Sequence, residues 1–303
     1  MEGGGRPQRE LRVLTFADLH LDRSVPWSTR ETGRTMRAAQ QVAFDAICAI
    51  AAAEADVLIS AGDLYDYDRH HPDTGELLRG GFERLAPMPV LLLPGESDPI
   101  DGLSLYEHVK WSANVTVLRT SEPTSWRPLP GLTVWAAADA AALAGVAAEP
   151  GAFNLGVVRG GAGGSEPPGA ASARPGGLQH VVAAWSHHPS DGLRETCPGA
   201  AYPVDPEDPP GGVVVLNILE VGSVDVTRRE IGTYAPTRPP RRFTTDELAA
   251  YDLAAIGQEQ TVRGEFVRTL LTPEESPVHL RRLALLSGLR ALDGTAPEGH
   301  PTR

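Results

Sequence analysis

Two apolar runs near the start of the chain each end in side chains that can bind a cation. Leu11–Phe16 is followed by Asp18 and His20, and Val57–Ser60 is followed by Asp63. Short apolar runs bounded by polar turn residues are typical of buried strands. Carboxylate and imidazole groups at neighbouring strand ends would meet at one edge of an open sheet, where ligands bind in such folds. The pattern therefore predicts a site for a borderline divalent metal such as manganese, iron or zinc.

The segments around these runs predict an α/β fold. Residues 35–53 and 74–85 repeat apolar side chains at helical spacing, and residues 89–93 form a third short apolar run. Strand, helix, strand, helix, strand at these intervals indicates a βαβαβ unit with parallel strands. Later apolar runs predict a second sheet stacked on the first, at residues 115–118, 132–136, 153–158, 181–185 and 213–219.

Composition changes along the chain predict its division into domains. Residues 1–10 are polar and glycine-rich and are expected to be disordered, and residues 11–235 are expected to form the main domain. A proline- and arginine-rich stretch begins at 236 and introduces a small C-terminal region, 236–294, followed by a disordered tail at 295–303. Residues 160–177 are rich in Gly, Ala, Ser and Pro, which predicts a mobile loop.

Charge and cysteine content narrow the class of protein. The net charge of −12 is opposite to that of a basic nucleic-acid binder, although a local basic face stays open. The two cysteines, Cys48 and Cys197, are too few and too far apart for a disulfide framework. The polar N-terminus does not resemble a secretory signal, and the sequence has no apolar stretch of bilayer-spanning length. We therefore expect a soluble, cytoplasmic protein without a membrane partner.

The order of the motifs resembles that of the calcineurin-like metallophosphoesterases, and most closely the SbcD-type DNA repair exonuclease subunits. The similar segments are residues 16–22, 62–66, 94–99, 185–188 and 288–292. The resemblance implies a four-layer α/β/β/α metallophosphoesterase sandwich with a small C-terminal cap-like region at 236–294. It also implies metal-dependent phosphodiester hydrolysis, with an SMC-like ATPase of the SbcC type and DNA as partners. A homodimer is a further alternative that the sequence leaves open.

The resemblance also implies which residues hold metal. The ligands of a first metal would be Asp18, His20, Asp63 and His188, and the metal would be Mn²⁺. An alignment of residues 185–188 shifted by one position instead places His187 on the first histidine of that family motif. Asp66 lies where the family often has a residue near the substrate, but it would serve equally well as a turn cap.

Several residues depart from the family pattern around the second metal. The third motif reads Gly95-Glu96-Ser97-Asp98, with Glu96 in place of a ligating Asn and Ser97 in place of the catalytic His. Serine has no titratable proton near neutral pH, so Ser97 cannot act as an imidazole general acid. Arg159 and Ser186 replace two further histidines. We therefore expect one metal site rather than two.

The departures suggest a specific replacement for the second metal. Glu96 could still act as a weak ligand, or it could form an ion pair with Arg159 in the space of that metal. The guanidinium of Arg159 could then hold a phosphate, because arginine binds phosphate oxygens in a bidentate manner.

Three functions remain open from the sequence. The first is a phosphodiesterase or exonuclease whose hydrolysis is weakened by the missing histidines. The second is a catalytically inactive scaffold or regulatory subunit of an SMC-like ATPase complex, and the third is a small-molecule phosphodiesterase. The C-terminal region after residue 236 favours the first two, because a small-molecule enzyme would not need a DNA-capping appendage.

Overall fold

The computed structural model describes residues 10–23, 30–159, 177–203, 208–220 and 223–231. In these residues the helices are α1 (Arg30–Glu54), α2 (Thr74–Glu83) and α3 (Leu105–His108). The strands are β1 (Leu11–Phe16), β2 (Val57–Ser60), β3 (Val90–Leu92), β4 (Val115–Val117), β5 (Thr124–Leu129), β6 (Leu132–Ala137), β7 (Phe153–Arg159), β8 (His180–Ala184), β9 (Ser190–Asp191), β10 (Glu195–Cys197), β11 (Gly212–Glu220) and β12 (Ser223–Glu230).

The strands form two six-stranded mixed sheets. The order of the first is β12-β11-β1-β2-β3-β4, in which β1 to β4 are parallel and β11 and β12 form an antiparallel hairpin beside β1. The order of the second is β5-β6-β7-β8-β10-β9, with a parallel centre of β6, β7, β8 and β10. Both sheets belong to one of the chain's two compact units, the one formed by residues 1–23 and 37–235.

The main hydrophobic core lies between the two sheets. Val13, Ile59 and Leu216 from the first sheet pack in one cluster with Leu155 and Val182 from the second. Alternate residues point to opposite faces of a strand, so the fully buried Leu14, Phe16 and Leu58 face away from this core. The crossover helices α1 and α2 lie on that outer face, because consecutive right-handed βαβ units place their helices on the same side of a sheet.

The two crossover helices also pack on each other. Phe44 and Phe82 are in edge-to-face contact, with their ring centroids 5.2 Å apart. A Cβ on Gly81 would overlap the ring of Phe44, so only glycine allows this close approach.

The predicted α/β class with two stacked sheets is confirmed. The four-layer prediction implies helices on the outer face of the second sheet. In the described residues, this outer layer consists of the 3-10 turn Ala142–Gly145, whose Leu143 packs on Val158 and Ala183. The helix expected at 35–53 begins earlier, at Arg30. None of the helices in the described ranges is both long and apolar enough to cross a bilayer.

Some predictions lie outside the described residues. They include the cap-like region at 236–294 and the tail at 295–303. They also include almost all of the expected loop at 160–177 and of the N-terminal stretch at 1–10. The proposed division of the chain at residue 236 therefore stays a prediction.

Candidate metal centre

The loops that follow β1 and β2 are joined along their backbones. The amide of Asp18 donates to the carbonyl of Gly62 (3.2 Å), and the amide of His20 donates to the carbonyl of Asp63 (2.9 Å). A parallel bridge between Leu21 and Tyr65 extends the pairing beyond the strands. The two motifs that the sequence placed at strand ends therefore lie side by side at one edge of the first sheet.

The backbone at this edge is unusual. The non-glycine residues with left-handed φ in the described part of the chain are Asp18 (51°), His20 (48°), Asp22 (65°) and Asp63 (53°). Asp and His adopt this region more readily than most residues, but such conformations still carry strain and cluster at functional sites. All four lie in these two loops, so the loops hold their polar side chains in positions that regular strands would not give.

Three side chains converge here. Asp18, His20 and His187 each present one possible ligand atom, and these atoms lie within 4.8 Å of one another. The carboxylate of Asp18 is 3.8 Å from Nε2 of His20, and the rings of His20 and His187 are 6.0 Å apart. Asp18 and His20 are buried, and His187 is partly exposed. This is the one such group among the residues that the structure describes.

Each imidazole is held by a carboxylate on its other nitrogen. Nδ1 of His20 is 3.0 Å from Asp66, and Nδ1 of His187 is 3.0 Å from Asp208. Because a neutral imidazole carries one N–H, a donated Nδ1–H leaves the lone pair on Nε2. Carboxylates of this kind orient metal-binding histidines and fix their tautomer. Asp66, predicted to contact substrate, is thus placed to position His20.

The electrostatics of Asp18 and His187 differ from those of exposed side chains. The pKa of Asp18 is raised to about 6, and burial is the main cause: His20, His187 and Arg23 lower this pKa, whereas Asp63 also raises it. The hydrogen bond to Asp208 is the main cause of a raised pKa at His187. Asp18 is therefore a desolvated carboxyl group for which a nearby cation would favour the charged form.

His187 occupies the position that the sequence assigned to His188. After β8 the chain turns, and the hydroxyl of Ser186 accepts a hydrogen bond from the amide of His188 (3.0 Å). This turn directs the His187 side chain towards Asp18 and leaves His188 exposed. The structure thus brings His187, the residue of the shifted alignment, into this group and leaves His188 outside it, and the assignment of His188 as a metal ligand stays a prediction.

Asp63 lies beside the group without contributing an atom to it. Its carboxylate accepts a hydrogen bond from the amide of Ser97 (2.6 Å), and its charge is close enough to raise the pKa of Asp18. A Cβ on Gly95 would overlap the Asp63 carboxylate, so glycine is required there. The role of Asp63 as a metal ligand stays a prediction.

Asp98 braces this loop, a role that sequence reasoning did not assign. It is fully buried and accepts hydrogen bonds from the amides of Asp63 (3.2 Å), Leu64 (2.7 Å) and Gly95 (2.5 Å) and from the hydroxyl of Tyr106 (2.6 Å). Burial raises its pKa to about 7. The signal was present in the sequence, since Asp98 ends the same motif that contains Glu96 and Ser97.

The suggested ion pair between Glu96 and Arg159 is not formed among the described residues. Glu96 is exposed, and the guanidinium of Arg159 donates instead to the carbonyl of Gly95 (2.8 Å). Arg159 ends β7, and its Cβ lies close to Gly62. The charge of Arg159 therefore lies at the same sheet edge but is held by a backbone carbonyl.

The donor set suits a divalent cation. Two imidazole nitrogens and one carboxylate match metals of borderline softness such as Zn²⁺, Fe²⁺ and Mn²⁺. Metal–ligand bonds of about 2.0–2.2 Å require neighbouring donors to be closer than roughly 4.4 Å, so small side-chain rotations would complete the site. The carboxylate partners of both histidines and the burial of Asp18 fit the same interpretation.

Comparisons with known proteins add little to this geometry. No family model matches the chain, and no curated protein matches it. Among solved structures, the chain is similar to a conserved uncharacterized protein, a predicted phosphoesterase, from Streptococcus pneumoniae TIGR4. The two share 9% sequence identity with a TM-score of 0.36, and the match covers 74% of this chain and 91% of that chain. Both values are low, and the site described above rests on the residues of this chain.

Proposed function

We propose that this chain is a metallophosphoesterase-type protein that binds one divalent cation and hydrolyses phosphate esters at the edge of its first sheet. The observation that carries the proposal is the convergence of Asp18, His20 and His187, with each histidine held by its own carboxylate. Such an arrangement is expected where an imidazole must present a fixed lone pair to a cation. Mn²⁺ is the metal we propose, in line with the family resemblance.

The proposed reaction places an attacking water and a phosphate at the same edge. A divalent cation, when bound, lowers the pKa of a bound water and polarises a phosphoryl oxygen. Asp18, His20 and His187 would hold that cation, and Arg159 offers positive charge at the end of β7 for a phosphate oxygen. Water adds to phosphorus and releases one proton to solvent, the ester P–O bond breaks, and the leaving oxygen takes a proton from solvent.

The source of that proton limits the proposed activity. Ser97 lies where the family has its catalytic histidine, and its amide is used to hold Asp63. A general acid typically contributes on the order of 10²–10⁴ in rate. We therefore expect aryl esters, whose leaving groups depart without protonation, to be cleaved much faster than alkyl esters.

The proposal is tested by metal binding and hydrolysis together. Isothermal titration with MnCl₂ should show one tight site in the wild type and none in Asp18→Asn. Manganese-dependent hydrolysis of bis-p-nitrophenyl phosphate should fall in parallel, while His188→Gln serves as a matched control with wild-type behaviour. A wild-type protein that neither binds Mn²⁺ nor releases p-nitrophenol would refute the proposal.

A second candidate is a metal-binding subunit without catalysis. It is favoured by Ser97 and Arg159, because neither can act as the missing imidazole. Tight Mn²⁺ binding with no hydrolysis of the aryl diester would select this candidate. In that case, hydrolysis by Ser97→His would identify the missing general acid as the cause.

The proposed substrate class and partner rest on sequence resemblance. We propose phosphodiester bonds of DNA as the substrate and a coiled-coil SMC-like ATPase as the partner, with a small-molecule phosphodiester as the alternative substrate. Linear duplex DNA should be degraded in the presence of Mn²⁺ and the ATPase of the same genome, and Asp18→Asn should abolish this. Co-purification of the two proteins tests the partner separately.

A further inference from the structure

The guanidinium of Arg23 lies inside the proposed metal site. Its Nη1 is 3.1 Å from Nε2 of His20. A positive side chain thus lies where the site would hold a cation.

The turn that carries Arg23 is firmly anchored. The amide of Arg23 donates to the carbonyl of His20 (3.0 Å), closing a turn around the left-handed residue Asp22. Asp22 is buried and is bonded by Arg37 (3.1 Å) and by the amide of His71 (2.8 Å). The backbone of Arg23 is therefore fixed beside the site, while its half-buried side chain is long enough to rotate out.

The hydrogen bond from Arg23 and a bound metal ion would use the same lone pair on Nε2 of His20. Nδ1 of His20 is 3.0 Å from the carboxylate of Asp66 and donates its proton there, because a carboxylate can only accept. Nε2 then has a single lone pair, which accepts the N–H of Arg23. A cation bound to Nε2 of His20 therefore excludes the Arg23 hydrogen bond, and the reverse also holds.

We infer that Arg23 is a built-in competitor of the divalent cation, which weakens metal binding and must move away from His20 before the metal can bind. This inference rests on the proposed function, since it concerns the same site. Two effects of Arg23 weaken metal binding. Arg23 covers a ligand nitrogen, and its positive charge repels a cation at close range.

The test compares the Mn²⁺ affinities of the wild type and three variants by isothermal titration. Arg23→Met removes the charge and the donor, and we expect its affinity to rise roughly tenfold or more, the size of a charge-assisted hydrogen bond. Arg84→Met is the matched control, because Arg84 pairs with Asp45 on the surface of the helices. Its affinity should equal that of the wild type. Arg23→Gln keeps a donor without the charge, should give an intermediate affinity, and replaces Arg23→Met if that variant does not fold.

The outcomes separate this inference from the proposed function. If the wild type binds Mn²⁺ and the Arg23 variants bind it equally or more weakly, the competition is refuted and the metal site stands. If none of the proteins binds Mn²⁺, both the site and the competition are refuted. Measurable binding by the wild type and binding at least tenfold tighter by Arg23→Met would support the inference directly.

Discussion

Removal of the buried Asp98 carboxylate should destabilise the whole strand-end site. Asp98 is fully buried and accepts bonds from the amides of Asp63, Leu64 and Gly95 and from the hydroxyl of Tyr106. Alanine would leave four donors without this acceptor, and a buried unsatisfied group costs about 1–3 kcal/mol. Part of this loss is offset, because the substitution also removes a carboxylate whose burial is itself unfavourable and raises its pKa to about 7.

We therefore expect Asp98→Ala to lower the free energy of unfolding by about 3 kcal/mol, within the range seen when buried charged partners are removed. Asp98→Asn keeps one accepting oxygen, and the Tyr106 hydroxyl can rotate to accept from its amide, so a smaller loss is expected. Tyr106→Phe removes one bond of the four and should cost about 1 kcal/mol.

Urea denaturation followed by tryptophan fluorescence measures these differences at constant pH. The expected order of stability is wild type, Tyr106→Phe, Asp98→Asn and Asp98→Ala. Mn²⁺ affinity of Asp98→Ala should also fall, because the loops carrying Asp63 and Gly95 lose their common brace. Wild-type stability in Asp98→Ala, within about 0.5 kcal/mol, would show that the carboxylate does not hold the loops and would refute this reasoning.

Three further outcomes are expected. His187→Ala should abolish tight Mn²⁺ binding in titration calorimetry whereas His188→Ala should not, and the opposite result would restore the ligand set predicted from sequence. Asp208→Asn should weaken Mn²⁺ affinity roughly 10–100-fold by releasing Nδ1 of His187, and an unchanged affinity would exclude this role of the carboxylate. Burial lowers the pKa of His180 from 6.5 to about 4. The neutral imidazole therefore stabilises the fold above pH 6.5, and this contribution of about 3 kcal/mol is lost as the pH falls through 4. His180→Gln should keep the bond to Thr196 and remove that part of the acid sensitivity in pH-dependent urea melts, which a mutant as acid-sensitive as the wild type would contradict.

Two of the strands missed by the sequence, β5 and β12, share a physical cause. β5 contains Pro128 and has no fully buried residue, because it is an edge strand with a register shift between Trp126 and Leu129. β12 alternates Val224 and Val226 with polar residues, as is usual for an edge strand open to solvent on one face. Such strands lack the continuous apolar signal that identified the central strands, and their positions depend on the partner strand.

Two members of the group formed by Asp18, His20 and His187 were expected from the sequence. Asp18 and His20 were found because they directly follow a buried strand, and the end of a parallel strand is a reliable position. The choice between His187 and His188 could not be made from spacing. It depends on a turn in which Ser186 bonds the amide of His188, and on Asp208, which holds His187 from a distant part of the chain.

The sequence by itself determined the α/β class, the parallel βαβαβ beginning and the edge of the sheet where polar groups collect. These features follow from local periodicity and from what directly follows each strand. Tertiary structure alone decided which groups meet there, with His187 beside Asp18, Asp98 beneath the loops and Arg23 against His20. These contacts join residues whose approach depends on packing and on left-handed backbone conformations, which no local pattern encodes.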